Sequence, residues 1–111
     1  MSSLAEMPFI TVDDYLAGEE QSPVKHEYIA GEVFAMAGAE ESHVTVALNL
    51  ATMLRNHLRG GPCRAYISDM KLRVAKADAY FYPDVFVTCD AADLAEPKAK
   101  SQARVVIEVL S

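Results

Sequence analysis

The segment Val105-Val106-Ile107-Glu108-Val109-Leu110 constrains the fold of this chain more than any other. From Arg104 to Leu110 it is β-branched and apolar except for one acid, the pattern of a buried central strand. A carboxylate in such a strand is costly unless it is paired, hydrogen-bonded or bound to metal. Asp84 raises the same problem, set between Tyr80-Phe81-Tyr82 and Val85-Phe86-Val87. Pro83 beside it cannot donate to a sheet ladder, so it marks an edge, a bulge or a strand start. If the two strands are neighbours, the two acids project from one face and repel, which raises one pKa unless a cation intervenes. Mg2+ takes carboxylate oxygens and keeps several waters, which suits phosphodiester hydrolysis. Spacing alone leaves a plainer alternative open, with Glu108 solvated at a strand end and Asp84 capping a turn.

The rest of the chain supplies elements to surround that pair. Thr11 and Asp14 read as a short capping box with an Ile10–Tyr15 staple, opening a brief helix from Val12 to Ala17 that stops at Gly18. Glu27 to Met36 reads as a hairpin turning at Ala30-Gly31, with the turn type open. Val44, Ala47, Leu50, Ala51, Leu54 and Leu58 recur at helical spacing, predicting a helix over 42–59 with Ser42 as N-cap and Gly60-Gly61-Pro62 as its stop. Arg64 to Val74 and Tyr80 to Thr88 are strand candidates, the first with an irregularity at Ser68-Asp69. Asp90 to Gln102 is polar and Ala-rich, the composition of a loop with a helical turn.

Charge is divided unevenly. Residues 1–54 hold nine acids and one base, and residues 55–111 nine bases and seven acids, so −8 and +2 sum to the net −6. The overall sign opposes simple electrostatic binding of nucleic acid, but a local positive face is compatible with it. Lys71, Arg73 and Lys76 alternate in part with Leu72 and Val74 and form a candidate phosphate-touching face. The aromatics Tyr80, Phe81, Tyr82 and Phe86 read as packing rather than base-stacking groups. Cys63 and Cys89 fit no zinc spacing and are too few for a disulfide framework. No apolar run is long enough for a membrane span, and Met1 to Ile10 lacks the pattern of a secretory signal. A reduced, cytoplasmic setting is the resulting expectation.

Tyr82-Pro83-Asp84-Val85-Phe86-Val87, followed by Val106-Ile107-Glu108-Val109-Leu110-Ser111, resembles the Uma-two-type endonucleases of the PD-(D/E)xK, or restriction-endonuclease-like, superfamily. Glu27 to Gly38 and Ser42-His43 add to the resemblance, which covers residues 8–111 in order. It implies an α/β fold with an αβββαβ core, a mixed sheet under the helix at 42–59 and an N-terminal hairpin, in a single domain over 1–111. It also implies Mg2+ or Mn2+ held by Asp84, Glu108 and the backbone carbonyl of Val109, and a nucleic-acid substrate, DNA in the first instance. His43 and Glu32 are further catalytic candidates, and Asp69 reads first as a turn or bulge residue. The superfamily lysine two positions after the second acid is replaced by Leu110. The expectation is therefore that the family's lysine comes from beyond Ser111, with the last helix and strand missing and an apolar sheet face and strand edge exposed. Two further readings stay open: a non-catalytic nucleic-acid-binding remnant of the fold, and an oligomeric interaction module such as a homodimer.

Overall fold

Residues 64–88 form one long hairpin broken in its middle, and that break organises the computed structural model, which describes residues 9–110. At its open end β3 (Arg64–Ile67) pairs antiparallel with β6 (Val85–Thr88), from Arg64↔Thr88 to Ile67↔Val85. At its closed end β4 (Lys71–Val74) pairs with β5 (Ala79–Phe81), and Ala75–Ala77 make a 3-10 turn between them. Between Ile67↔Val85 and Leu72↔Phe81 one arm advances five residues (72 − 67) and the other four (85 − 81). The surplus residue is taken up by a turn in which the Met70 amide donates to the Ile67 carbonyl at 3.0 Å. Pro83, with no N–H to offer, sits in the opposite arm. Each strand read as continuous, 64–74 and 80–88, is thus two strands in two different sheets.

The first sheet has the order β2-β1-β5-β4-β7, with β1 (His26–Ile29), β2 (Glu32–Ala35) and β7 (Ala99–Lys100). It is mixed, because β7 runs parallel to β4. The second, β3-β6-β8, is antiparallel and ends in β8 (Ala103–Ile107). Together with three helices these strands give the mixed α/β fold expected of a restriction-endonuclease-like chain. The 26–35 hairpin extends the first sheet, on β5, and not the sheet that carries β8. Its turn has Ala30 at φ 48° and Gly31 at φ 92°, the type I′ pattern. A Cβ at Gly31 would also lie 2.6 Å from the Phe9 ring, so glycine is required there on two counts.

Helix α1 (Val12–Gln21) covers the first sheet. Thr11 Oγ1 accepts from the Asp14 amide at 3.2 Å, as the capping pattern predicts. The helix does not stop at Gly18, however; it continues because Glu19 is held by the His26 amide, the His26 ring and the Tyr82 hydroxyl. Tertiary bonds here outweigh the roughly 1 kcal/mol helix cost of one glycine. Tyr15, Tyr28 and Tyr80 meet edge and face beneath it, with ring centres 5.0–6.4 Å apart. The packing assignment of Tyr80 and Tyr82 holds, as it does for the fully buried Phe86.

Helix α2 (Glu41–Leu58) lies on β3 and β6. Its hydrogen-bond ladder starts at the Glu40 carbonyl, which accepts from the Val44 amide, so Glu40 and not Ser42 is the cap residue. Ala47, Leu50, Ala51, Leu54 and Leu58 face inward as the spacing predicts, whereas Val44 is 52% exposed. Strand β8 is an edge strand, not a central one, with Val105 and Val106 half exposed and Glu108 just past its end. The two cysteines are not free: the register that sets Arg64 against Thr88 brings Cys63 to Cys89 in a disulfide, Cα–Cα 4.0 Å. Among the described residues no helix is long and apolar enough to cross a membrane. Most of Met1–Ile10, and Ser111, lie outside the described residues.

The loop after β6 contains the expected helical turn, α3 (Ala91–Ala95), capped by Asp90. Its anchor is Asp93, whose buried carboxylate accepts from the Thr88 and Ser101 hydroxyls and the Ser101 and Gln102 amides. Burial alone would raise this carboxyl, yet those bonds hold it below the usual range. Its contribution to stability is present above the unfolded value of 3.8 and is lost as pH falls through the lower folded value. Since each bond to a charged group contributes about 1.5–3 kcal/mol, Asp93→Ala should destabilise the fold by about 3 kcal/mol or more in urea unfolding at pH 7. A loss below about 1 kcal/mol would contradict this role.

Candidate metal centre

The break in the long hairpin sets Asp84 immediately before β6, and the β6–β8 pairing of Val85 with Ile107 brings Glu108 beside it. The two acids interlock through the backbone. The Asp84 amide donates to Glu108 Oε1 at 3.2 Å, and the Val109 amide donates to Asp84 Oδ2 at 2.7 Å. His43, in the first turn of α2, places Nε2 3.2 Å from the same Asp84 Oδ2, with both side chains only 16% exposed. The second oxygens, Asp84 Oδ1 and Glu108 Oε2, make no hydrogen bond among the described residues.

The electrostatics are those of crowded carboxylates. Burial lifts the Glu108 carboxyl above its ordinary value, and the charges of Asp84 and Glu27 push it the same way. The Asp84 amide and the His43 ring offset part of this. A divalent cation would relieve the repulsion using the two free oxygens, so the donor set fits a hard metal ion. Among the described residues there is no group of three or more His, Cys, Asp or Glu side chains that could hold a metal ion. Mg2+ does not need one, since it commonly uses one or two carboxylates and completes its shell with water.

Of the residues singled out in the sequence, Asp84, Glu108, His43 and Val109 are brought together, Val109 through its amide. Glu32 is not: it stands exposed on the edge strand β2, paired with Ile29, and bonds to neither acid. The hairpin acid felt by Glu108 is Glu27, on the inner strand β1. Sequence reasoning passed it over because Glu27 and Glu32 share one face of the hairpin, and only the pairing of β1 between β2 and β5 separates the inner position from the edge one. Asp69 is a turn residue whose carboxylate pairs with Lys25 at 2.9 Å. Lys71 lies over the Tyr82 ring, and Lys76 is in the 3-10 turn. No described lysine bonds to Asp84 or Glu108, and Leu110 is 91% exposed.

Residues 12–111 match the family model Uma2, described as "Putative restriction endonuclease". The chain is 37% identical over 110 residues to the uncharacterized protein slr1290 of Synechocystis sp., covering 99% of this chain and 58% of that one. It is 33% identical over 107 residues to the uncharacterized protein sll1609 of the same organism, covering 96% and 58%. The chain thus spans well under two thirds of the length of either relative. No solved structure matches. A match over nearly the whole chain, from residue 12 to residue 111, shows that this protein belongs to the Uma2 family of putative restriction endonucleases.

Proposed function

We propose that this chain carries the acidic metal-binding half of an Mg2+- or Mn2+-dependent endonuclease acting on DNA. The observation that supports the reading best is the interlocked Asp84–Glu108 pair, in which one oxygen of each carboxylate is fixed by an amide and the other is free. A bound divalent cation would supply positive charge at the phosphate and acidify a nearby water.

The chain's own groups prepare for that role. The Val109 amide and the His43 ring fix the Asp84 carboxylate from one side, which directs its free oxygen to the cation. The Asp84 amide does the same for Glu108. Glu27 adds negative charge that strengthens attraction for a cation. The Val109 carbonyl is a further candidate ligand. Leu110 stands in the place of the superfamily lysine, and no described lysine bonds to either acid.

Asp84→Ala should abolish Mg2+-dependent nicking of plasmid DNA and Mn2+ binding in calorimetry, and cleavage equal to the parent chain's would sink the assignment. His43→Ala, which removes an orienting partner, should weaken Mn2+ binding on the order of 10–100-fold. Because the Glu108 carboxyl is raised, cation affinity should fall as pH drops through its elevated pKa, and Glu27→Gln should move that midpoint downward. In the cation-free protein the sign is opposite for stability. The protonated form contributes fully below the ordinary value of 4.5, and its contribution is lost as pH rises through the folded value. Glu108→Gln should remove that dependence from the thermal midpoint.

A further inference from the structure

Two clefts, of about 610 and 620 Å3, open on the described surface, and neither is lined by Asp84, Glu108 or His43. The first, between α1, β4 and α3, contains Lys71, Arg73, Lys98 and Lys100 but also Glu20, Asp93 and Glu96. Much of its charge is spent internally, with Lys98 on Glu20 and Lys100 on the Asp93 and Glu96 carbonyls. The second is different. It lies where α2 gives way to β3, is lined by Arg55, Arg59, Arg64, Gly60, Gly61 and Tyr66 among others, and has no acid in its wall.

Three of the five arginines of a chain with net charge −6 therefore converge on one cleft. Local structure does not use them up. Among the described residues the Arg59 side chain bonds only to Asn56 Oδ1 at 2.9 Å, through Nη2, and that of Arg64 only to the Gly61 and Cys63 carbonyls at 3.1 Å, through Nη1. Arg55 has no hydrogen-bond or ion-pair partner among the described residues. A guanidinium carries five donors in a planar fork, so most remain available. The helix dipole accounts for a cation in the last turn of α2, but not for Arg64 on the next strand.

We propose that this cleft contacts the phosphate backbone of a nucleic acid, apart from the acidic pair and without metal. Forked guanidinium groups match phosphate oxygens, and the glycine pair at the helix end leaves the approach open. The placement suits one ligand spanning both sites. Arg64 is three residues along β3 from Ile67, about 10 Å, and Arg55 is twelve residues along α2 from His43, about 18 Å. At about 3.4 Å per nucleotide those spans correspond to three to five phosphates of one strand. The inference rests on the nucleic-acid part of the function proposed above but not on its chemistry.

The test is fluorescence anisotropy of a labelled DNA duplex with the full chain in EDTA, repeated across salt concentrations. The unmodified chain should bind, and the Arg55→Ala/Arg59→Ala/Arg64→Ala variant should bind at least tenfold more weakly. Its plot of log affinity against log salt should be shallower by about 2–3, since each phosphate contact contributes about 0.9. The charge-reversed pair Arg55→Glu/Arg59→Glu, confined to the exposed helix surface and checked by circular dichroism, should lose binding even if the triple variant misfolds. Asp84→Ala should retain binding in EDTA, so failure of the metal assignment and failure of this one are read separately. No binding by the unmodified chain, or equal affinity and slope in the charge-reversed pair, overturns the proposal. So does displacement of the duplex by low-millimolar inorganic phosphate at matched ionic strength, which would mark a small-anion site.

Discussion

The interruption of the 64–88 hairpin is the constraint from which the rest of the architecture follows. One extra residue in the arm through Ser68-Asp69-Met70, facing Pro83 in the other, ends one sheet and begins another. Backbone irregularities of this kind re-aim side chains, and they are frequent beside functional sites. Here the residue at the seam is Asp84. Because β6 restarts directly after it and pairs with β8, the register Val85↔Ile107 carries Glu108 to the same place. The acidic pair is thus a consequence of where two ladders stop.

The same seam assigns separate tasks to the two sheets. The five-stranded sheet buries its tyrosines under α1 and carries Glu27, whose charge reaches Glu108, on its inner strand β1. The three-stranded sheet supports α2, whose first turn delivers His43 to Asp84 and whose last turn delivers Arg55 to the arginine cleft. Helix α2 and strand β3 therefore link an acidic end to a basic end. The Cys63–Cys89 bridge closes the basic end of the β3–β6 ladder, and the Asp93 network fixes the loop between β6 and β8.

How much of this was legible in the sequence depends on how local each signal is. The long helix, the Ala30-Gly31 turn, the Thr11 cap and the acids at 84 and 108 were readable because periodicity, turn chemistry and buried charge act within a few residues. The division of the strands was legible only in part: Pro83 and the irregularity at Ser68-Asp69 were its local traces, but the break itself depends on a register mismatch between two distant arms. Glu27 and Glu32 could not be ranked for a related reason: their environments differ by strand order, which hairpin spacing does not carry. The helix running past Gly18 and the pairing of Cys63 with Cys89 likewise rest on contacts across the fold, with His26 and Tyr82 in one case and the β3–β6 register in the other.

The central claim is that Asp84 and Glu108 together hold a divalent cation through the oxygens their backbone bonds leave free. Anomalous diffraction from crystals soaked in Mn2+ tests it most directly. The account predicts one strong peak within coordination distance of both Asp84 Oδ1 and Glu108 Oε2, absent from Asp84→Ala crystals. A Mn2+ peak bound elsewhere while both carboxylates stay unligated, or no bound ion at saturating Mn2+, would contradict it.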